Sequence, residues 1–221
     1  MAVYFISGID TDAGKSVVTG VIARTLLKQG VKVITQKFIQ TGCTGISEDI
    51  LKHRELMGVE PYEEDKDGTT CPYVMTYPAS PHLAAEIDGV TIDLERIERA
   101  TEKLASRYDV VLLEGAGGLY VPVTRKYLTI DYIQEHKYPL ILVASSKLGS
   151  INHALMSLEL CRLRGIEVRY VVYNDFPNDS ELIKNDSITI IRQYLQEHFP
   201  ACRLLELPVL DERNKEAELR I

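Results

Sequence analysis

A strand, a glycine-bounded loop and a helix open this chain, and together they constrain its fold more than any other feature. The apolar run 3–6 leads into the loop 8–16, which ends in Gly-Lys-Ser, and a helical pattern follows from Val17. Glycines let the backbone turn so that successive N–H groups point at one anion, and the helix N-terminus adds unpaired donors. The combination predicts a phosphate-binding loop in which Lys15 reaches the outer phosphates and Ser16 binds Mg²⁺.

The spacing of this loop departs from the usual pattern by one residue. Five residues separate Gly8 from Gly14, whereas four usually separate the first glycine from Gly-Lys-Ser/Thr. The alternative interpretation is an ordinary strand-to-helix turn with an incidental Gly-Lys-Ser. The apolar strand before the loop and the helical pattern after it favour the phosphate-binding interpretation.

Length, charge and cysteine spacing narrow the class of protein. The 221 residues suffice for one domain, 1–221, with a sizeable core. The net charge of −7 argues against nonspecific nucleic-acid binding, which needs a basic surface. None of the four cysteines has C-x-x-C spacing, and the apolar runs are far shorter than the ~20 residues that span a bilayer. We therefore expect a cytoplasmic protein without nucleic-acid or membrane partners.

Short apolar runs alternate with amphipathic stretches along the chain. Strands are predicted near 3–7, 32–36, 109–114, 139–145, 167–173 and 203–206, and helices near 15–29, 48–57, 93–107, 127–136, 151–164 and 179–197. This βα alternation predicts an α/β fold with a parallel β-sheet flanked by helices on both faces, like that of P-loop NTPases. Segment 58–92 is the exception, because it is rich in Pro, Tyr, Asp and Gly, and it is either an insertion with short elements of its own or a binding loop.

Three charged residues stand where such a site needs them. Lys37 follows the second strand and can stabilise a transferring phosphoryl group, although a solvated lysine is the alternative. Asp49 is either a helix-start residue favoured by the dipole or a Mg²⁺ ligand. Glu114 ends the apolar strand 109–114 and is followed by glycines, which is typical of a Walker B acid that orients Mg²⁺ or its water.

Two further strand ends carry polar groups. The start of the helix after 147–149 offers free backbone N–H groups that suit a carboxylate, whereas His153 is more simply a capping or core histidine. Asn174 has the donor and the acceptor that a purine edge requires, with a simple turn as the alternative.

In chain order, these motifs resemble the dethiobiotin synthetase family, in which the five-residue spacing of the loop is usual. The matching blocks are Gly8-x-Asp10-Thr11-Asp12-x-Gly14-Lys15-Ser16, Lys37 with Thr41-Gly42, Ser80-Pro81-His82, Glu114-Gly115-Ala116-Gly117-Gly118, Lys147-Leu148-Gly149-x-Ile151-Asn152-His153, Asn174-Asp175 and Leu207-Pro208. They extend from residue 3 to about residue 210.

The resemblance implies an ATP- and Mg²⁺-dependent cyclo-ligase of biotin biosynthesis that joins 7,8-diaminononanoate and CO₂ into dethiobiotin. One substrate amine forms a carbamate, ATP converts it into a carbamic-phosphoric anhydride, and the second amine expels phosphate to close the ring. It also implies a homodimer with the substrate site at the subunit interface.

The resemblance also assigns roles to residues. The catalytic residues would be Lys37, Lys15 and Thr11. The nucleotide-binding residues would be Asp12, Ala13, Gly14, Lys15, Ser16, Val17, Asp49, Glu114, Gly115, Ala116, Gly117, Asn174, Asp175, Pro208, Val209 and Leu210. The substrate-binding residues would be Thr41, Ser80, Pro81, Gly118, Leu119, Val121, Gly149, Ser150, Ile151 and Asn152. The metal ligands would be Ser16, Asp49 and Glu114.

One departure and three competing functions complete the sequence-based expectations. The family usually has proline where this chain has Phe38, which leaves the aim of Lys37 open. A chromosome-partitioning (ParA-like) or septum-site (MinD-like) ATPase would usually carry an extra lysine where this chain has Asp10. A cobyrinate-type synthetase would usually carry an amidotransferase domain as well, and a nonenzymatic nucleotide-binding module would leave Lys37 and Glu114 without a role.

Overall fold

A computed structural model of the chain describes residues 1–177 and 180–221. Its strands are β1 (Ala2–Gly8), β2 (Val33–Lys37), β3 (Gln40–Thr41), β4 (Val74–Met75), β5 (Val110–Gly118), β6 (Pro122–Thr124), β7 (Tyr127–Leu128), β8 (Leu140–Ser145), β9 (Val168–Asn174) and β10 (Arg203–Leu207). Its helices are α1 (Lys15–Lys28), α2 (Glu48–Met57), α3 (Glu63–Lys66), α4 (Pro81–Asp88), α5 (Leu94–Ala105), α6 (Thr129–His136), α7 (Ser150–Leu163) and α8 (Glu181–His198). The six predicted strands and six predicted helices are confirmed, with boundaries shifted by a few residues, although residue 179, where the last helix is predicted to begin, lies outside the described residues.

The main sheet has six parallel strands in the order β10-β9-β8-β1-β5-β2. Successive residues of its central strands alternate between two hydrophobic clusters: Phe5 belongs to one and Ile6 to the other, and Leu113 and Leu112 divide in the same way. Since strand side chains point alternately to opposite faces, each face has its own core under its own helices. The predicted α/β class is confirmed.

Strand β1 lies between β5 and β8. After β1 the chain forms β2 and β5 on one side of it and later β8, β9 and β10 on the other side. At such a switch point the loops after neighbouring strands diverge, and ligands bind in the crevice beyond the strand ends. The phosphate-binding loop follows β1 directly, which places it in this crevice.

Segment 58–92 forms short elements of its own, as one of the two sequence interpretations expected. It contains α3, β4 and α4, and β4 pairs with β3 just beyond Lys37. A buried ion pair holds it to α2, because Arg54 donates to both carboxylate oxygens of Asp65 at 2.8 Å. The segment is thus an insertion packed against the functional end of the sheet.

The four cysteines are all free. Within residues 1–177 and 180–221, no helix combines the length and the apolar character needed to cross a bilayer.

Candidate active site

A cavity of about 930 Å³ opens at the carboxyl ends of the central strands. Its size falls in the usual range for small-molecule sites, ~300–1,000 Å³. Fifteen of the predicted site residues line it: Thr11, Asp12, Gly14, Lys15, Ser16, Val17, Lys37, Thr41, Asp49, Glu114, Ala116, Gly117, Asn174, Val209 and Leu210. A second cavity, of about 480 Å³, lies against segment 58–92 and is lined by none of the predicted site residues.

The phosphate-binding loop passes close to the opposite wall of the cavity at Gly14. This residue has a φ of 86°, and a Cβ atom there would lie 2.2 Å from Nδ2 of Asn174. Glycine is therefore required both by the backbone conformation and by the space. Lys15 folds back over the loop, and its Nζ donates to the carbonyl oxygens of Thr11 at 3.0 Å and Asp10 at 3.2 Å.

Glu114 is the centre of the polar network at the base of the cavity. Its side chain is fully buried, and each carboxylate oxygen has two partners. Oε1 accepts from Lys37 Nζ at 2.8 Å and from Ser16 Oγ at 3.0 Å. Oε2 accepts from Thr19 Oγ1 at 2.8 Å and contacts His53 Nε2 at 2.8 Å. The protein thus supplies four polar contacts to one carboxylate.

Asp49 completes the cluster from the first turn of α2. Its carboxylate accepts from Ser16 Oγ at 2.8 Å and forms an ion pair of 2.5 Å with Lys37 Nζ. The N-cap of this helix is Ser47, whose Oγ accepts from the N–H of Ile50. Asp49 therefore lies at a helix start, as one of the two interpretations expected, and also faces the cavity, while its role as a Mg²⁺ ligand stays a prediction.

The charges in this cluster perturb one another strongly. Burial lowers the pKa of Lys37, but the carboxylates of Glu114 and Asp49 outweigh burial and raise it above its ordinary value. Burial would raise the pKa of Glu114, yet Lys37 and the contact with His53 hold it well below its usual range. Burial and the nearby ammonium of Lys37 lower the pKa of Lys15 to about 8. The cluster therefore holds the ionised carboxylate of Glu114 against the ammonium of Lys37.

Phe38 fixes the backbone beside Lys37. Its ring is fully buried and packs edge-on against Phe5, with centroids 5.7 Å apart, and against Tyr132 at 4.8 Å. Its N–H donates to the carbonyl oxygen of Glu114 at 2.8 Å. Proline could not make this hydrogen bond, so phenylalanine holds the end of β2 against β5 and thereby aims Lys37 into the cavity.

The opposite wall is built by the end of β9 and the C-terminal segment. Asn174 Nδ2 donates to the carbonyl oxygen of Ala13 at 3.1 Å, which leaves Oδ1 as the acceptor of this amide. The backbone N–H of Asp175 donates to the carbonyl oxygen of Leu207, and its Oδ2 pairs with Lys184 at 2.6 Å. Val209 and Leu210 add apolar surface to the wall.

The other predicted site residues lie outside this lining. They are Ala13, Ser80, Pro81, Gly115, Gly118, Leu119, Val121, Gly149, Ser150, Ile151, Asn152, Asp175 and Pro208. Ala13 and Gly115 contribute through their carbonyl oxygens, since the Gly115 oxygen accepts from Lys37 Nζ at 3.1 Å. The Leu119 side chain is packed in the core.

Sequence reasoning missed several residues of the site. Those lining the cavity are Ile39, Gln40, Lys52, Glu55, Leu56 and Phe176. Thr19 and His53, both bonded to Glu114, were missed as well. The signal was helical spacing: Thr19 follows Ser16 by three residues and His53 follows Asp49 by four, so each lies one turn beyond a residue that was recognised.

Comparison with known protein families and sequences agrees with this geometry. The profile of a family described as an AAA domain matches residues 2–217. Proteins named ATP-dependent dethiobiotin synthetase from Haemophilus influenzae, Pasteurella multocida and Chlorobaculum tepidum are 57%, 52% and 51% identical to this chain. The alignments cover 82%, 90% and 93% of this chain and 96%, 93% and 84% of those proteins, respectively.

Solved structures with the same fold are far more distant in sequence. The MinC:MinD cell division complex of Aquifex aeolicus matches with a TM-score of 0.57 at 19% identity, over 98% of this chain and 86% of that one. A ParA family ATPase from Chlorobium tepidum matches with a TM-score of 0.56 at 16% identity, over 97% and 87%. At these identities the likeness concerns the fold alone.

Proposed function

The chain belongs to the ATP-dependent dethiobiotin synthetase family, and from this membership we infer that its main cavity closes the ureido ring of dethiobiotin. The protein is an enzyme, an ATP-dependent cyclo-ligase of biotin biosynthesis rather than a switch of the MinD or ParA type. The observation that carries the assignment of the site is the gathering of Lys15, Lys37, Asp49 and Glu114 beside the phosphate-binding loop in one cavity.

We propose that the triphosphate of ATP lies against the loop 8–16. The first-turn N–H groups of α1 have no acceptor within the helix and would point at the phosphates. Lys15 would exchange the carbonyl oxygens of Asp10 and Thr11 for phosphate oxygens, which offer a full negative charge. The base would lie by Asn174, whose Oδ1 can accept from an exocyclic amino group, with Val209 and Leu210 beside it.

The donor set suits Mg²⁺. Ser16 Oγ lies 2.8 Å from Asp49 and 3.0 Å from Glu114, so three hard oxygen donors meet at one point. Among the residues that the structure describes, no three His, Cys, Asp or Glu side chains form a metal site by themselves. This fits an ion that keeps several waters and takes phosphate oxygens as ligands. When bound, Mg²⁺ would neutralise charge on the phosphates.

Lys37 would provide the second positive charge of the reaction. One amine of 7,8-diaminononanoate attacks CO₂ and loses a proton, which gives a carbamate. A carbamate oxygen then attacks the γ-phosphorus of ATP, and ADP leaves. The second amine attacks the carbamoyl carbon, the C–O bond to phosphate breaks, and a proton is released as the ring closes. Lys15 and Lys37 would stabilise the negative charge on carbamate and phosphoryl oxygens, and Thr11 would help to orient them.

The substrate would complete its site with a second copy of the chain. Thr41 lines the cavity, but residues 149–152 at the start of α7 lie outside its lining. Met156 and Leu163 share an α7 face with Asn152, and they are 58% and 67% exposed. Two exposed apolar side chains on one face of α7, beside a predicted carboxylate-binding helix start, favour a homodimer in which α7 of one protomer faces the cavity of its partner.

Product formation by the purified protein tests this function. The protein is incubated with 7,8-diaminononanoate, bicarbonate, Mg²⁺ and ATP, CTP or GTP in turn, and the cyclic urea is measured by mass spectrometry together with nucleoside diphosphate. We expect dethiobiotin with ATP. Lys15→Ala and Lys37→Ala should each lower the rate by roughly 10²-fold or more, the scale for loss of one preorganised charge.

Lys28→Ala is the matched control, because it removes a surface ammonium that pairs only with Glu216 among the described residues. Its rate should equal that of the natural chain. Full turnover in Lys37→Ala would contradict the role given to Lys37, and nucleotide hydrolysis without a cyclic product would contradict the ring-closing function.

A further inference from the structure

His53 is a buried polar residue for which the proposed reaction has no use. Its side chain has no exposed surface, and it lies on α2, one turn beyond Asp49. Among the described residues its Nε2 has one partner, Oε2 of Glu114 at 2.8 Å, while its Nδ1 has none. Burying an imidazole with one nitrogen unpaired is unfavourable, so the contact with Glu114 has to be the reason for a polar side chain here.

The direction of this hydrogen bond follows from its partner. Oε1 of Glu114 lies 2.8 Å from the ammonium of Lys37, which can only donate, so the group is paired as a carboxylate and its oxygens accept. Nε2 of His53 therefore carries the proton, whichever form the ring takes. Thr19 Oγ1 lies 2.8 Å from the same oxygen and 2.8 Å from the carbonyl oxygen of Lys15, so its one proton is shared between these two acceptors.

The two carboxylate oxygens of Glu114 consequently have different kinds of partner. Oε2 is held from the side by Thr19 and His53, which are both buried. Oε1 is held by Lys37 and Ser16, which line the cavity and are both groups that would move to substrate, nucleotide or cation. Releasing Oε2 would leave Nε2 of His53 without its partner among the described residues, whereas Lys37 and Ser16 would keep their contacts with Asp49 on release of Oε1.

We propose that His53 is a positioning residue that, together with Thr19, clamps Oε2 of Glu114 so that the carboxylate presents Oε1 alone to the cation bound with nucleotide. This inference rests on the proposed function, because the cation enters with ATP. Without the clamp the carboxylate can rotate, and its cation-binding oxygen loses its fixed place. Loss of such supporting contacts typically lowers metal affinity 10–100-fold.

Two amides of different length separate this role from simple packing. His53→Gln places an amide N–H near the position of Nε2, whereas the shorter side chain of His53→Asn reaches only the position of Nδ1. His53→Leu removes all polarity. Thr19→Val removes the other donor to Oε2 at nearly constant volume, so it tests the same clamp even where a His53 variant does not fold.

The experiment measures binding rather than turnover. A non-hydrolysable β,γ-imido analogue of ATP is titrated into each full-length variant by calorimetry, in EDTA and at increasing Mg²⁺. We expect His53→Asn, His53→Leu and Thr19→Val to need about 10–100-fold more Mg²⁺ for half of the cation-dependent gain in affinity. His53→Gln should stay near the natural chain, and all variants should bind the analogue equally in EDTA.

Leu104→Ala is the control for lost stability, since Leu104 is buried on α5 in a cluster that contains no cavity-lining residue. It should melt at lower temperature with an unchanged Mg²⁺ requirement. If His53→Asn, His53→Leu and Thr19→Val needed no more Mg²⁺ than the natural chain, the inference would be overturned and the proposed function would stand. An equal loss in His53→Gln and His53→Leu would also overturn the inference, because it would indicate ring packing. A natural chain that does not bind the analogue would overturn both the inference and the proposed function.

Discussion

At the scale of single residues, the ammonium of Lys37 lies between two carboxylates. Its Nζ lies 2.5 Å from Asp49 Oδ2 and 2.8 Å from Glu114 Oε1, and the raised pKa reports how well the ammonium is held there. The proposed cation would use the same two carboxylates. A cation bound by Asp49 and by Oε1 of Glu114 would displace Lys37 towards the cavity, which couples the availability of this ammonium to nucleotide binding.

This arrangement predicts that Mg²⁺ can replace the stabilising effect of the ammonium. Lys37→Met leaves the buried Glu114 with less opposing charge, so we expect a lower melting temperature than that of the natural chain in EDTA. In the presence of the β,γ-imido analogue of ATP, saturating Mg²⁺ should raise the melting temperature of the variant more than that of the natural chain. Thermal unfolding followed by circular dichroism measures both shifts.

Lys28→Met is the matched control for the change of charge, because its ammonium lies on the surface. It should melt like the natural chain with and without Mg²⁺. Equal Mg²⁺-induced shifts in Lys37→Met and in the natural chain would refute the shared use of the two carboxylates.

At the scale of elements, α2 connects the polar network around Glu114 to the inserted segment 58–92. One side of the helix supplies Asp49 and His53 to the network around Glu114. Arg54, the next residue, turns to Asp65 in the inserted segment and also donates to Thr35 Oγ1 of β2 at 2.8 Å. The position of α2, and with it the position of Asp49 in the proposed cation site, therefore depends on a buried ion pair outside the cavity.

Removing one partner of that pair should be strongly destabilising. In Asp65→Ala the guanidinium of Arg54 loses its carboxylate partner. It stays buried, because only 1% of the Arg54 side chain is exposed. We expect the free energy of unfolding to fall by about 3–5 kcal/mol, the usual effect of leaving one buried charge unpaired. Urea unfolding at equilibrium measures this change.

The surface pair of the same segment provides the comparison. Glu63→Ala breaks an exposed ion pair with Lys66 and should change the free energy of unfolding by less than about 1 kcal/mol. Similar losses in Asp65→Ala and Glu63→Ala would show that the Arg54–Asp65 pair does not anchor the segment.

At the scale of the whole molecule, the single chain provides a nucleotide-sized cavity and leaves part of the predicted substrate site elsewhere. The start of α7 lies outside the cavity, and apolar side chains are exposed along one face of that helix. A second copy placed on this face would bury them and bring residues 149–152 towards the substrate. It would also shield the water-sensitive carbamate.

Light scattering after size-exclusion chromatography tests this assembly. We expect the natural chain to have the mass of a dimer and Met156→Glu to shift towards the monomer, because a carboxylate would be buried without a partner. The variant should also need more 7,8-diaminononanoate for half-maximal rate. Val90→Glu, on the inserted segment, should stay dimeric, and a monomeric natural chain with full activity would contradict the shared site.

The order of the helices and strands, and the polar residues that follow the strands, could be predicted from the amino-acid sequence. Continuous apolar runs and glycine-bounded turns are local signals, so the parallel strands, the phosphate-binding loop, Lys37 and Glu114 could all be recognised without coordinates. The positions of Asp49 and Asn174 could be proposed from their places after a turn or a strand, but their alternatives could not be decided locally, because a helix start and a ligand site use the same residue types.

Which side chains contact one another in the cavity depends on the three-dimensional packing of distant segments. Thr19 and His53 lie 95 and 61 residues from Glu114 in sequence, and their contacts with it depend on how α1 and α2 pack against β5. The aim of Lys37 likewise depends on the packing of Phe38 against Phe5 and Tyr132. Hydrogen bonds and close packing between distant segments leave no periodic pattern, since each residue type is locally ordinary and becomes functional only through its neighbours in space.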